Sequence, residues 1–353
     1  MLALVAAVSA TGALVVRGPE RASPPRPPPP AAETVWPHAR RADVPGVLPG
    51  DVTYSPAYFL DERVSVGTAR EAGGGEVRLV VRAADGAVRV LRALPTAGAP
   101  RFAGVTRAGD VLVWAESVTG RDGSVRTALW RADLSGGAPR KITDDSGDAT
   151  FLGSDYDIAV DSGRLYWTAR APGREAATEI RSVSVDGGPV EVRTEPGLWT
   201  LSGWPWLTSA GSSGRARLRN LDAASVVDVD AAGDMLDRCG PTWCRVYVLS
   251  GGAVRSELMR PDGSERLRVA DDGATATVVD VAVLDRFEVL SEDSTTLGAA
   301  IGGRRVLVYD LTTRRSVSVA EAATSASYRA GVLWWSTGAA GRVTWHTIDL
   351  RTV

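Results

Sequence analysis

A short apolar motif, usually ending in tryptophan, recurs along this chain of 353 residues. Between its copies, short stretches alternate apolar and polar residues, as β-strands with one buried face do. A repeat of this length, built from such strands, is typical of a β-propeller, in which each repeat forms one blade. The pattern therefore predicts an all-β fold, a seven-bladed β-propeller of four-stranded antiparallel blades. The seven copies centre on Val66, Trp114, Trp167, Trp206, Trp243, Val289 and Trp335, in steps of 37 to 53 residues.

The second half of each repeat carries turn residues at a common position. Several are Asp-Gly or Gly-Gly pairs, which supply the positive φ angles that tight hairpins need. Residues 180–185 and 306–309 are predicted strands beside such turns, and residues 278–283 are predicted as the innermost strand of the sixth repeat. The turns fall at Asp85-Gly86, Ser135-Gly136-Gly137, Asp186-Gly187-Gly188, Asp222-Ala223-Ala224, Asp262-Gly263 and Asp310-Leu311-Thr312-Thr313.

The seventh repeat lacks a fourth strand, because its third strand, residues 343–348, is followed almost at once by Val353. A three-stranded blade would expose unpaired backbone groups at its edge. We expect residues 33–36 to pair there and close the ring. Six blades are the alternative, because the repeats that begin at Trp167 and Trp206 are short.

The N-terminus differs in composition from the repeats, so three segments are predicted. Residues 1–17 form a hydrophobic signal or anchor segment, residues 18–32 a proline-rich linker, and residues 33–353 the propeller. The uncharged run from Leu2 to Val16 is shorter than the roughly 20 residues of a membrane span and fits a signal-peptide core. No basic residue precedes it, so a cleaved signal and a membrane anchor both stay open. Either one places the protein outside the cytoplasm.

Cys239 and Cys244 are the only cysteines of the chain. They flank a short turn, and residues that face each other across a hairpin lie close enough for a disulfide. A disulfide agrees with an oxidising compartment. Zinc binding, a redox pair and two free thiols are the alternatives. Zinc would require both histidines of the chain, His38 and His346.

The motifs of common catalytic sites are missing from the sequence. There is no Gly-x-Ser-x-Gly turn before a helix and no phosphate-binding glycine loop, so we predict no catalytic residue, no cofactor and no metal. His38 and His346 are expected to be ordinary surface or strand residues. Calcium binding is the minor alternative, since residues 144–148, with Asp155 and Asp157, supply closely spaced carboxylates.

Charge and aromatic residues bear on the partners. The net charge is −2, with both signs interspersed, so no nucleic-acid surface is expected. Of the 40 basic residues only Lys141 is a lysine, which we interpret as a trace of a GC-rich genome. Five of the eleven tryptophans follow the repeat and are assigned to blade packing. Trp36 and Trp204 do not, and they are the candidate partner-binding residues.

Residues 164–168 and 181–188 together resemble the strand–turn–strand unit of TolB-like and YWTD-type propellers. The wider chain, over residues 33–353, is similar to exported TolB-like propellers of high-GC bacteria, which have no assigned activity. The separate α/β domain of TolB and the repeated Ser-Pro-Asp-Gly turn of its blades are missing, so a role in a Tol-type complex is not expected. The shared segments are Val35-Trp36-Pro37-His38, Ser202-Gly203-Trp204-Pro205-Trp206, Arg238-Cys239-Gly240-Pro241-Thr242-Trp243-Cys244 and Leu284-Asp285-Arg286-Phe287.

These observations predict a non-catalytic, extracytoplasmic β-propeller that acts as a protein-binding or scaffold module. A monomer is expected, with a protein partner and with membrane contact only through the N-terminal segment. Two alternatives stay open. One is a hydrolase or lyase with acidic and arginine residues at the central channel, and the other is a sugar or peptide sensor that uses exposed tryptophans.

Overall fold

A computed structural model describes residues 28–173, 176–209, 215–250, 253–270, 273–293, 303–339 and 341–353. Nearly all regular structure in these residues is β, and the strands form seven antiparallel sheets that follow one another along the chain. Each sheet is one blade of a β-propeller. The prediction of seven blades is confirmed, and the six-bladed alternative is wrong, because the short repeats at Trp167 and Trp206 each form a complete sheet.

The first three blades run in meander order from the inner to the outer strand. Blade 1 contains β2 (Val47–Leu48), β3 (Val52–Phe59), β4 (Ser65–Arg70), β5 (Glu76–Arg82) and β6 (Val88–Pro95). Blade 2 contains β7 (Arg101–Ala108), β8 (Val111–Thr119), β9 (Val125–Asp133) and β10 (Arg140–Thr143). Blade 3 contains β11 (Asp148–Ala149), β12 (Ala159–Asp161), β13 (Arg164–Arg170), β14 (Ala177–Ser184) and β15 (Glu191–Pro196).

The remaining blades repeat this order, and the last one takes a strand from the N-terminal side. Blade 4 contains β16 (Trp199–Leu201), β17 (Trp206–Ser209), β18 (Arg215–Asn220) and β19 (Ser225–Asp230). Blade 5 contains β20 (Met235–Cys239), β21 (Cys244–Ser250), β22 (Ala253–Met259) and β23 (Leu267–Ala270). Blade 6 contains β24 (Thr275–Ala276), β25 (Phe287–Asp293), β26 (Arg304–Asp310) and β27 (Arg315–Ala323). Blade 7 contains β28 (Ser325–Arg329), β29 (Val332–Thr337), β30 (Thr344–Asp349) and β1 (Arg41–Pro45).

The apolar motif marks the second strand of each blade. This strand is covered by sheet on both faces, so its residues are buried in succession, as in β8 and β29. Outer strands such as β15 and β19 are largely exposed. The predicted turns connect the third and fourth strands, and the glycines of the Asp85-Gly86 and Asp262-Gly263 turns have φ values of 90° and 83°.

The ring closes through β1, not through residues 33–36 as predicted. β1 pairs with β30 in antiparallel register, from Arg41 opposite Ile348 to Pro45 opposite Thr344. Residues 33–36 instead belong to a helical turn, α1 (Ala32–Val35), that ends against blade 6. Trp36 packs edge-on against Phe287, with ring centroids 5.7 Å apart. An outermost strand buries little apolar surface, and β1 buries only Val44, so hydrophobic pattern gave no signal for it.

Arginine side chains link neighbouring blades through buried carboxylates. Arg92 of blade 1 donates from Nε, at 2.6 Å, to Glu116 of blade 2. Arg245 of blade 5 also donates from Nε, at 2.5 Å, to Glu288 of blade 6, and the Arg245 and Glu288 side chains are almost completely buried. The planar guanidinium group has five donors and can hold several acceptors at once, so these pairs join the blades by specific contacts as well as by apolar packing.

The predicted segment 1–17 and the first part, residues 18–27, of the predicted linker 18–32 lie outside the described residues. Residues 28–31, the end of the predicted linker, run alongside blade 6, where the Ser318 amide donates to the carbonyl of Pro30 at 2.9 Å. Within the described residues, no helix has the length and apolar composition needed to cross a membrane.

Candidate functional site

A loop of blade 3, residues 151–157, crosses the centre of the ring; we call it the plug. It connects β11 and β12, yet it is hydrogen-bonded to blades 6 and 7, which lie across the ring from blade 3. Asp155 donates its amide to Asp280 of blade 6 at 2.8 Å. The Asp155 carboxylate accepts from the Ala330 amide of blade 7 at 2.9 Å. The plug therefore closes the central channel.

Further contacts hold the plug in place. Ser154 donates its hydroxyl to Asp280 at 2.5 Å and accepts at its carbonyl from Arg329 of blade 7. Asp157 caps the start of the loop by accepting from the Leu152 and Gly153 amides, each at 2.8 Å. These bonds leave Asp280 with both carboxylate oxygens engaged, so its position is fixed by the fold.

The segment of blade 6 that receives the plug is irregular. Residues 278–282 are bends, Val283 forms only an isolated bridge with Phe287, and β24 is the two-residue strand Thr275–Ala276, so the prediction of an inner strand over 278–283 is wrong. The buried Arg245 holds this segment by donating to the Asp280 carbonyl at 2.8 Å, while Glu288 accepts from the Ala282 amide at 2.8 Å. Bonding to the plug and to Arg245 thus replaces sheet pairing here.

A cavity of about 270 Å³ lies between the plug and blades 4 to 7. Its walls come from five short segments: the plug, the turn before β17, the hairpin between β20 and β21, residues 280–285, and the end of β28 with the turn after it. Three of these contain segments on which the sequence resemblance rests. The lining includes Asp155, Tyr156, Trp204, Trp206, Arg238, Thr242, Trp243, Asp280, Leu284, Asp285 and Tyr328.

The disulfide between Cys239 and Cys244, which the hairpin spacing predicted, is present in the structure. The hairpin that it closes forms one rim of the cavity. The two half-cystines face each other in the β20–β21 pair, and the Gly240 amide donates to the Trp243 carbonyl at 2.7 Å. Ser202 of blade 4 donates its hydroxyl to the Cys239 carbonyl at 2.9 Å. The rim is therefore tied both within blade 5 and to the neighbouring blade.

The carboxyl groups around the cavity strongly affect one another. Burial, together with the neighbouring Asp280 carboxylate, raises the pKa of Asp155 to about 7. Partial burial and the carboxylates of Asp280, Asp155 and Asp285 raise the pKa of Tyr156. Three carboxyl groups therefore lie close enough to this one hydroxyl to disfavour its ionisation.

The two candidate tryptophans have different surroundings. Trp204 is half-buried, lines the cavity and stacks on Tyr166 with ring centroids 3.5 Å apart. Trp36 is only 7% exposed and belongs to the core around Phe287, so the exposed ring that partner binding at Trp36 would need is not there.

The other predicted residues have local partners or lie apart. His346 bonds to Asp43 of β1 and Thr337 of β29, both at 2.7 Å, and His38 is exposed near the N-terminus. Asp144 and Asp145 pair with Lys141 and Arg181. The structure groups no three metal-ligating side chains within its described residues.

Sequence reasoning missed Tyr156, Arg238, Asp280, Asp285 and Tyr328 as site residues. They come from four different blades, and they meet only because the plug crosses the ring. The one available signal was that three resemblance segments, residues 202–206, 238–244 and 284–287, fall in consecutive repeats.

Solved structures similar to this chain are propellers with several functions. Oligogalacturonate lyase from Vibrio parahaemolyticus has 10% sequence identity and a TM-score of 0.49, over 88% of this chain and 97% of its own. TolB from Acinetobacter baumannii has 13% identity and a TM-score of 0.40, over 81% and 79%. The propeller domain of the Trilobed protease from Pyrococcus furiosus has 10% identity and a TM-score of 0.47, over 71% and 83%.

No protein-family model and no curated protein matches the chain. Enzymes and TolB proteins are both among these similar structures, all with TM-scores below 0.5, so they assign no function to the chain. By its own sheet topology the protein is a seven-bladed β-propeller with a loop across its ring. TolB proteins are among the structures to which it is similar, in line with the sequence resemblance.

Proposed function

We propose that the protein is an extracytoplasmic, non-catalytic propeller that binds a protein partner over the face on which the cavity opens. The observation that carries this proposal is the convergence of five short segments from different blades on one cavity. In propellers the sheets supply a rigid frame, and loops positioned by such a frame are where binding residues concentrate. The disulfide at the rim supports a location outside the cytoplasm.

Hydrogen bonding favours binding over catalysis. Both Asp280 oxygens are engaged by the plug, and the Ser202 hydroxyl is committed to the Cys239 carbonyl. A general base must reach a substrate proton, whereas these groups are held in structural bonds. Leu284, in contrast, is 45% exposed at the rim, as expected of a contact surface.

Site-specific photo-cross-linking in the native envelope tests this proposal. A benzoylphenylalanine at Leu284 should give a discrete adduct whose partner is identified by mass spectrometry and then purified. The same probe at Val226, 44% exposed on the outer strand β19, is the matched control. The purified partner should bind the wild-type propeller and lose affinity when Trp204→Leu is introduced. Adducts from Val226 alone, or binding that Trp204→Leu leaves unchanged, would contradict the proposal.

One observation favours a second function, acid–base catalysis by Asp155. A carboxyl group with a pKa of about 7 at a cavity is suited to proton transfer near neutral pH. This hypothesis predicts that a hydrolase or lyase screen finds a turnover that Asp155→Asn abolishes while the fold is retained. Turnover that the variant keeps would count against it.

A further inference from the structure

The cavity combines aromatic walls with an excess of negative charge. Five of its lining residues are aromatic: Tyr156, Trp204, Trp206, Trp243 and Tyr328. One face of Trp204 is taken by Tyr166, and Arg260 lies 3.8 Å from the centroid of the Trp243 ring. That second contact shows that a cation already stacks on one of these rings from outside. Aromatic faces attract cations through the ring quadrupole.

The lining charges favour the same kind of ligand. Among the described residues that line it, Asp280 and Asp285 supply carboxylates, the pKa of Asp155 is raised to about 7, and Arg238 is the one basic residue. Arg329, behind the plug, is occupied by Ser154 and Asp157. Beside burial, which is the larger cause, the carboxyl groups of Asp155 and Asp280 contribute to the raised pKa values of both Tyr156 and Tyr328. An anionic ligand would be repelled by these carboxylates, and the Arg238 guanidinium would be the one lining group to offset that repulsion.

Asp285 is the carboxylate best placed to meet a ligand. It is exposed at the rim, and its side chain makes no hydrogen bond or ion pair with the rest of the described chain. Asp280, by comparison, is fully engaged by the plug. A ligand cation at the rim would therefore find one free carboxylate in a cavity whose walls also include Trp204.

We propose that the cavity recognises an alkylammonium group, which a partner protein presents as a lysine side chain or as its N-terminal amine. Rings and carboxylates together bind such a group by cation–π contact and by charge-assisted hydrogen bonds. A cavity of about 270 Å³ has room for a side chain but not for a folded element. This inference rests on the proposed binding function and specifies what is bound.

Calorimetry with short blocked peptides tests the inference on the full chain. The first peptide, acetyl-Gly-Lys-Gly-amide, offers only the lysine ammonium group. The second has the same sequence with the lysine acetylated, and the third, Gly-Gly-Gly-amide, offers only an N-terminal amine. One or both of the charged peptides should bind, at least about tenfold more tightly than the acetylated peptide, which corresponds to about 1.4 kcal/mol. Whichever charged peptide binds identifies the source of the amine.

Two variants locate the binding. Asp285→Asn removes the charge without changing size, and it suits the backbone there because φ is 52° and asparagine tolerates the left-handed region. It should weaken peptide binding about tenfold, and Trp204→Leu should do likewise. Asp51→Asn is the matched control, because Asp51 also has positive φ, at 58°, and lies in blade 1 far from the cavity. It should leave affinity unchanged.

The outcomes separate this inference from the proposed function. If neither charged peptide binds, or if the acetylated peptide binds as tightly, the ammonium assignment is wrong. If, in that case, the partner that cross-links at Leu284 still binds more weakly to the Trp204→Leu variant, the proposed binding function stands without the ammonium assignment. If Asp285→Asn and Asp51→Asn behave alike, the charged peptides bind elsewhere and the inference is also overturned.

Discussion

Asp155 makes the stability of this propeller depend on pH in an unusual direction. In the folded protein its pKa is raised from an ordinary value of 3.8 to about 7, mainly by burial and by the Asp280 carboxylate. Between these two values the folded state keeps a proton that the unfolded chain releases. The stabilisation is therefore complete below pH 4 and is lost as the pH rises through 7.

The size of the effect follows from the difference between the two pKa values. One proton corresponds to about 1.4 kcal/mol per pH unit, so a difference of about three units amounts to about 4 kcal/mol at most. Asp155→Asn removes this titration but keeps an oxygen that accepts from the Ala330 amide. Relative to the wild type, the variant should gain about 1 kcal/mol of stability per pH unit between pH 5 and 7.

Urea unfolding at pH 5, 6, 7 and 8 measures this difference directly. Titrating groups that do not interact with Asp155 are shared by both proteins and cancel in the comparison. Asp51→Asn, which removes an exposed carboxylate, should give a curve parallel to that of the wild type. If the curve of Asp155→Asn is also parallel, the carboxyl is ionised in the folded state and the electrostatic account of the plug is wrong.

Three further predictions concern the frame. A chain that begins at Gly46 lacks β1, so the edge of β30 in blade 7 is exposed, and its melting temperature should be well below that of a chain that begins at residue 28. Equal melting temperatures would refute closure of the ring by β1. Glu288→Gln should lower the free energy of unfolding in urea by about 3 kcal/mol, because it leaves the buried Arg245 guanidinium without its charged partner. Glu265→Gln removes an exposed pair with Arg260 and should lower it by less than about 1 kcal/mol. Equal losses in the two variants would contradict a special role for the buried pair. Replacing both cysteines by serine should lower stability by about 2 kcal/mol because the closed loop is short, and mass spectrometry should find Cys239 and Cys244 linked; free thiols in unreduced protein would refute the bridge.

The repeats could be predicted from sequence because the second strand of each blade is buried on both faces. Burial selects tryptophan, valine and leucine at a recurring position, as in Trp114, Trp167 and Trp335. The turns could also be predicted from the sequence, because their positive φ angles favour glycine. The outer strands could not be predicted in this way, because one face and one edge are open to solvent and few of their residues are buried. The closing strand was therefore predicted at residues 33–36, several residues before β1.

The site was less predictable because it depends on contacts across the ring. Asp155 was noted only as a minor calcium ligand, and residues 278–283 had the pattern of a strand. Their actual relationship, Asp155 donating its amide to Asp280, joins residues far apart in sequence. Local pattern carries no information about such a contact, and only the fold shows that the two aspartates meet.

The arginine bias has structural consequences whatever its genomic origin. Arg245 binds the Glu288 and Asp237 carboxylates and the Asp280 carbonyl at the same time, and Arg181 bonds both Glu179 and Asp145. A lysine ammonium is a compact point charge that lacks this planar fork. The prevalence of arginine thus permits blade contacts that lysine would make poorly.

The plug also changes how a repeat protein of this kind should come apart. In a linear array each unit touches only its neighbours, so units can melt from the ends one at a time. Here residues 151–157 join blade 3 to blades 6 and 7, so blade 7, whose outermost strand pair forms the β1–β30 seam, is also held from the opposite side of the ring. Opening the seam does not free blade 7 while these bonds last. Loss of the plug and loss of the seam are consequently coupled, and the whole disc behaves as one cooperative folding unit.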